Sequence, residues 1–280
     1  MQLARGEMVG FVGPNGAGKS TFMKLLLGVC RPTRGRASVL GLDAQCDSVR
    51  IRGRVGYLPG DLGLYRNLSG RRCLEFCLSF YPRADLRRAL ELGERLDLPL
   101  HKRVKGYSTG MRQKLGLIQA LAVDAELLLL DEPTKGLDPT TQATFFSLIG
   151  EELERGRSIL LSSHVLDELE RTCHRIVFIE RGRRIDDATI EAARAHFRKE
   201  LRVTFAEGET PDLVAIDGVA EATPESSYTR LRLDGPLGPV LARLAELGVD
   251  SIEYNRPSLG DVYRAVYLER DAGQTEEASR

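Results

Sequence analysis

Nine consecutive residues, Gly13-Pro14-Asn15-Gly16-Ala17-Gly18-Lys19-Ser20-Thr21, follow the spacing G-x-x-x-x-G-K-[ST]. They stand between an apolar, strand-like segment, Met8 to Val12, and a helix-like one, Thr21 to Leu27. In that setting the run is a phosphate cradle. Its glycines let successive backbone N–H groups converge on an anion, the start of the helix adds its positive dipole end, and the Lys19 ammonium reaches the outer phosphates. The Ser20 hydroxyl is placed to ligate Mg²⁺, with Thr21 beside it. The ligand expected is a nucleoside triphosphate.

Two further runs add chemistry. Leu127-Leu128-Leu129-Leu130-Asp131-Glu132 is an apolar strand that ends in two carboxylates. Behind a phosphate loop, Asp131 suits the Mg²⁺ shell and Glu132 suits polarising an attacking water. Tyr107-Ser108-Thr109-Gly110-Met111-Arg112-Gln113-Lys114 lies just before a helix expected to run to Ala122. A hydroxyl, a glycine and a helix N-terminus make either a second anion site or an ordinary N-capped helix.

The elements that must position these groups alternate. After the first helix, Arg31-Pro32-Thr33-Arg34-Gly35 reads as a turn, Ala37 to Leu40 as a strand and Val55 to Leu58 as another. From about 62 to 122 the apolar spacing turns helical, through Leu74, Cys77, Leu78, Leu86, Leu90 and Leu96, so a helical subdomain is inserted here. Strands return at Leu127 to Leu130, Ile159 to Ser162 and Ile176 to Ile179, separated by amphipathic helices around Thr140 to Arg155 and Val165 to Thr172. Such alternation predicts a largely parallel sheet covered by helices. Beyond about His196 the pattern becomes a small α+β unit: Leu201 to Phe205, Tyr228 to Leu233 and Ile252 to Tyr254 alternate, and Leu237 to Leu247 reads as a helix. With Asp212 to Ala215 as a short helix, a β-α-β-β-α-β order results. Ser258 to Asp261 resembles a helix cap opening Val262 to Leu268.

Lys plus Arg and Asp plus Glu balance at 40 each, so no overall field recruits nucleic acid, and no nucleic-acid partner is expected. The five cysteines include no C-x-x-C pair, which suits a reducing compartment, and Cys73 and Cys77 read as packed core. No apolar stretch approaches the length of a membrane span, and the first residues contain Glu7 and do not read as a signal peptide.

Together these motifs resemble the ATP-binding-cassette (ABC) ATPases, over about Gly6 to Arg184. Ser108 and Gly110 stand where that family carries its Leu-Ser-Gly-Gly-Gln signature. Pro133-Thr134-Lys135-Gly136-Leu137-Asp138 stands at its D-loop, and Ser162-Ser163-His164 at its switch histidine. The resemblance implies an α/β P-loop NTPase domain of the ABC type over 1–195; the small α+β unit is expected as an accessory domain over 196–270, and the tail 271–280, with little to bury, is expected to be disordered. It implies ATP and Mg²⁺ as ligands, His164 at the terminal phosphate, and Asp138 coupling two sites. It also implies a head-to-tail homodimer with ATP between the loop of one subunit and Ser108 and Gly110 of the other. The stretch Arg256 to Tyr263 is similar to the appended domain of drug and natural-product exporter ATPases with separately encoded permeases. Export through such a permease is the expected role, and the cytoplasmic face of the cell membrane the expected place. A non-transport ATPase of the same superfamily and a catalytically weak nucleotide-binding regulator are the alternatives. His101, His174 and His196 receive no role.

Three positions depart from the family pattern. Gly60 replaces the glutamine that follows the Tyr57-Leu58-Pro59 strand, with Asp61 as candidate substitute, and Thr109 and Met111 replace Gly and Gln in the signature. Only twelve residues precede Gly13, so the aromatic platform for adenine is not seen, and weaker ATP binding or a later-assigned start codon is expected.

Overall fold

The computed structural model describes residues 1–163, 165–190, 192, 199–205 and 211–255. The chain divides into two compact units, Met1–Thr189 and Ile190–Arg280.

In the first unit a six-stranded sheet carries the site. Its strands are β1 (Met8–Val12), β4 (Val55–Leu58), β5 (Leu127–Asp131), β6 (Ser158–Ser163), β7 (Arg175–Glu180) and β8 (Arg183–Thr189), in the order β4-β5-β6-β1-β7-β8. All pairs are parallel except β7 with β8. Every residue of β1, β5 and β6 is buried. That explains their unbroken apolar runs: a parallel sheet is covered on both faces, so neither face selects polar side chains. The covering helices are α1 (Lys19–Leu26), α2 (Ser48–Arg52), α5 (Thr109–Leu121), α6 (Pro139–Glu154) and α7 (Leu166–Thr172). The expected α/β architecture is the one that forms.

The helical insert consists of α3 (Gly70–Leu78), α4 (Leu86–Arg95) and α5. Capping starts each helix. The Ser69 hydroxyl accepts from the Arg72 N–H, the Asp85 carboxylate from the Arg87 and Arg88 N–H groups, and the Ser108 hydroxyl from the Met111 N–H. Ion pairs tie α4 to α6: Arg95 to Glu151 at 2.6 Å, and Arg88 to the buried Glu152, which also meets Arg157.

Two short hairpins escaped the sequence reading. Strand β2 (Ser38–Val39) pairs with β3 (Leu42–Asp43), and β7 pairs with β8. Each turns on two residues of positive φ, Leu40 at 53° with Gly41 at 78°, and Arg181 at 46° with Gly182 at 75°. Turns of that kind match the twist of antiparallel strands.

In the second unit, strands β9 (Lys199–Phe205), β10 (Val219–Pro224), β11 (Thr229–Leu233) and β12 (Val249–Asn255) lie in the order β10-β11-β9-β12, all antiparallel, with helix α8 (Leu237–Glu246) between β11 and β12. Leu201, Val203, Leu231 and Leu233 join Val240 and Leu244 of α8 in its core. The alternate residues Arg202, Arg230 and Arg232 face away, and Arg232 pairs with Glu200 at 3.2 Å. The short helix expected at Asp212 to Ala215 does not form. The Asp212 carboxylate instead accepts from the Val214 N–H at 3.2 Å, and this local turn competes with a helical start. Strand β10 was missed because its Ala, Glu and Pro residues are weak strand formers. The expected cap at Ser258 to Asp261, the helix after it, the stretch Arg256 to Tyr263 and the tail lie outside the described residues. Among the described residues no helix is long and apolar enough to cross a membrane.

Candidate functional site

Register builds the site. In the sheet Asp131 lies opposite Ser162, and Val12 opposite Ser163, so the carboxyl ends of β5, β6 and β1 come level at one edge. Ligands of open parallel sheets bind at this edge, where the loops after the strands converge. The phosphate loop follows β1, the two carboxylates end β5, and the segment after β4 brings Gly60 alongside. A cavity of about 350 Å³ results, lined by the run Asn15 to Thr21 together with Gly60, Asp131, Glu132 and Lys135.

Within it Lys19 is buried, and its ammonium donates to the carbonyls of Gly13 at 2.6 Å and Pro14 at 3.3 Å. The same nitrogen lies 3.6 Å from the Glu132 carboxylate. Gly13 and Pro14 therefore hold the lysine from behind, while the cavity wall proper begins at Asn15. Gly18 precedes α1 with φ of 105° and brings no side chain to its N-terminus, which is left open to an anion.

The two carboxylates are set differently. Asp131 is buried, one oxygen accepting from the Ser162 hydroxyl at 2.6 Å and the other, Oδ2, lacking any hydrogen-bond partner. A buried carboxylate oxygen without a proton donor is costly unless a cation completes it. With the Ser20 hydroxyl in the same wall, the donors are the hard oxygens that Mg²⁺ takes, so the residues fit that ion. Glu132 has a left-handed backbone, φ 51°, unusual for a side-chain-bearing residue, and this turns the chain sharply at the strand end. The turn is held from two sides. The Glu132 N–H donates to the Ser162 hydroxyl at 3.0 Å and carbonyl at 3.1 Å. The buried Gln113 amide of α5 donates to the carbonyls of Glu132 at 3.1 Å and Pro133 at 2.9 Å.

Ser108, Gly110 and Asp138 are not among the residues lining the cavity. The Ser108 hydroxyl caps α5, and Asp138 caps α6, accepting from the Thr141 N–H at 2.9 Å and hydroxyl at 2.7 Å. Those bonds hold the Asp138 carboxyl below its ordinary value. Gly110 packs so closely on the next loop that a Cβ there would lie 2.7 Å from the Gly136 carbonyl oxygen. The signature-like segment thus adjoins the D-loop-like one at Gly136, and of these two segments only Lys135 reaches the phosphate cavity of the same chain. His164 lies outside the described residues. Asp61 is exposed and does not line the cavity. At Gly60 a Cβ would stand 3.0 Å from the orphan oxygen of Asp131.

Across the whole chain, a sequence described as a daunorubicin resistance ATP-binding protein, DrrA3 of Streptomyces coeruleorubidus, is 33% identical over 294 residues, spanning 100% of this chain and 92% of its own. The chain belongs to the ABC transporter ATP-binding protein family. The sequence profile described as ABC transporter matches residues 1–135. The Nod factor export ATP-binding protein I of Burkholderia pseudomallei strain K96243 is 36% identical over 270 residues, 92% of this chain and 87% of that one. Among solved structures, one described as the ATP-binding subunit of an ABC transporter superposes with a TM-score of 0.66 at 32% identity, over 70% of this chain and 84% of its own. As an ABC ATPase the chain binds nucleotide and hydrolyses ATP.

Three residues of this ABC ATPase site carry no role in the sequence reading: Ser162, Gln113 and Lys135. Each stands in a run that was read for other members, and its part depends on a contact across the fold that spacing does not encode.

Proposed function

We propose that the chain is the motor subunit of an exporter. In this reading two copies meet head to tail, ATP with Mg²⁺ lies between the phosphate cavity of one and the Ser108 and Gly110 segment of the other, and hydrolysis energises export of a drug-like or natural-product molecule through a separate permease on the inner membrane face. The observation that carries the reading is the division of the site. Lys19, Ser20, Asp131 and Glu132 gather around one cavity, while Ser108 and Gly110 face elsewhere in the same chain. A single copy therefore offers half of a nucleotide sandwich. Relatives named for drug resistance and Nod factor export, matched over most of their length, support export.

Within the site each group takes one task. The loop N–H groups and Lys19 neutralise the phosphates, and Glu132, on its left-handed turn, accepts a proton from the attacking water. Asp131, steadied by Ser162, and Ser20 would hold the Mg²⁺. When bound, that ion screens charge between the outer phosphates. Gly60 leaves its corner to solvent rather than to a glutamine side chain.

The permease needs a landing surface. Tyr65, Phe76 and Phe80 form an exposed aromatic row, 50%, 41% and 70% accessible, with ring centroids 4.8 and 5.2 Å apart. Contiguous exposed aromatics are the mark of a partner surface.

The test is Mg²⁺-dependent ATP turnover of the full chain beside Glu132→Gln, with oligomeric state recorded in ATP. The expected outcome is turnover abolished by the substitution and an ATP-trapped dimer. A chain that dimerises in ATP without turnover would instead be a nucleotide-gated regulator.

A further inference from the structure

Lys135 lines the phosphate cavity, yet nothing above uses it. Its backbone N–H donates to the Glu132 carbonyl at 3.2 Å, closing a tight turn that hangs both side chains from one short segment. Lys19, by contrast, is buried and committed to the Gly13 and Pro14 carbonyls and to Glu132. Of the charged groups in the lining, two are cations, Lys19 and Lys135, and two are carboxylates, Asp131 and Glu132. With Asp131 matched by the Mg²⁺ it would hold and Lys19 set against Glu132, Lys135 is the cation of the lining left to meet the charge of a polyanionic ligand.

We infer that Lys135 is a nucleotide-contacting residue whose ammonium takes the terminal phosphate of bound ATP from the solvent side, so that this cavity prefers ATP to ADP. The choice of phosphate follows from the turn. Glu132 serves the water that attacks the terminal phosphate, and Lys135 is fixed three residues further along the same turn, on the cavity wall. Its exposure matters too. A lysine at the mouth can swing onto an incoming phosphate at little cost in packing, whereas the buried Lys19 must first release its carbonyls. The inference rests on the reading of this cavity as the ATP site, and Lys19→Ala tests that reading separately.

The experiment is equilibrium binding of ADP and of the non-hydrolysable imido analogue of ATP to the full chain, diluted to its monomeric range, in Mg²⁺. The unaltered chain, Lys135→Ala, Lys135→Arg and Lys19→Ala are compared. For Lys135→Ala the expected result is a loss of about five- to tenfold for the ATP analogue, the scale of a partly exposed charge-assisted contact. ADP affinity should hold, and Lys135→Arg should restore most of the loss. Added salt should narrow the gap between unaltered chain and Lys135→Ala. Equal loss for both nucleotides, or none for either, overturns the inference while leaving the site reading intact if Lys19→Ala binds neither. A defect confined to ATP-driven dimerisation also overturns it, assigning Lys135 to the face between two copies. Failure of the unaltered chain to bind either nucleotide overturns the site reading and the inference together.

Discussion

Glu132 is held in an unfavourable backbone conformation by groups outside the lining of the cavity. The Ser162 hydroxyl accepts from its N–H while donating to Asp131, so one side chain steadies the Asp131 carboxylate and the backbone that carries Glu132. Gln113 holds the other side by donating to two carbonyls. Replacing Gln113 with Leu keeps roughly the volume and strips the Pro133 carbonyl of its donor, while the Glu132 carbonyl keeps only the Lys135 N–H. A buried acceptor stripped of its partner costs about 1–3 kcal/mol. The melting temperature of Gln113→Leu should therefore fall by several degrees, and turnover should fall further than ATP affinity, because the water-polarising carboxylate is loosened while the phosphate loop is not. Thermal denaturation and steady-state kinetics check both. An unchanged melting temperature would show that the amide does not hold the turn.

At the scale of elements, the helical insert joins the phosphate site to the molecular surface. Helix α5 carries Gln113 near its start, and α3 presents Phe76, stacked between Tyr65 and Phe80. The pairs Arg95 to Glu151 and Arg88 to Glu152 tie α4 to α6, the helix that Asp138 caps. The link from this insert to the site is Gln113, whose amide holds the turn that carries Glu132. The double substitution Phe76→Ser with Phe80→Ser removes the row without touching the buried face of α3, which is Cys73, Leu74 and Leu78. ATP binding by the double variant should be unchanged, and its co-purification with the proposed permease should be lost. Retained co-purification would place the partner surface elsewhere. The aromatic row was not legible as a row, because Tyr65 precedes the helix and only folding brings it against Phe76.

For the molecule as a whole, the N-terminal segment is pinned by charge as well as by β1. Arg175 of β7 pairs with Glu7 at 2.8 Å, meets Asp187 of β8 and donates to the Gln2 carbonyl. Burial alone would raise the Glu7 carboxyl, but the hydrogen bonds from Arg175 and the Ala4 N–H outweigh it and hold the group below its ordinary 4.5. The folded carboxyl therefore gives up its proton more readily than the unfolded one. Its stabilisation is present above pH 4.5 and fades as pH falls below that value. Glu7→Gln should cost on the order of 1 kcal/mol at neutral pH, since the pair is partly solvated. It should also flatten the loss of stability below pH 4.5, as read from melting temperatures between pH 3 and 7. Identical pH profiles for the two chains would remove Glu7 from the account. The sequence by itself determined what depends on neighbours along the chain: the phosphate loop between strand and helix, the carboxylates ending an apolar strand, and the alternation that makes an α/β sheet. Those signals are local, since helix starts, glycine turns and apolar runs act over a few residues. Only the tertiary structure decided which of them share a cavity. Asp131 and Ser162 are 31 residues apart and Gln113 is 20 from Pro133, and each pair meets only through sheet register or helix packing. The same physics set β3, β8 and β10, whose Asp, Glu, Ala and Pro residues have little strand preference of their own and pair because a neighbouring edge was waiting. It also left Ser108 and Gly110 out of the lining of their own chain's phosphate-loop cavity, a separation that no spacing along the sequence expresses.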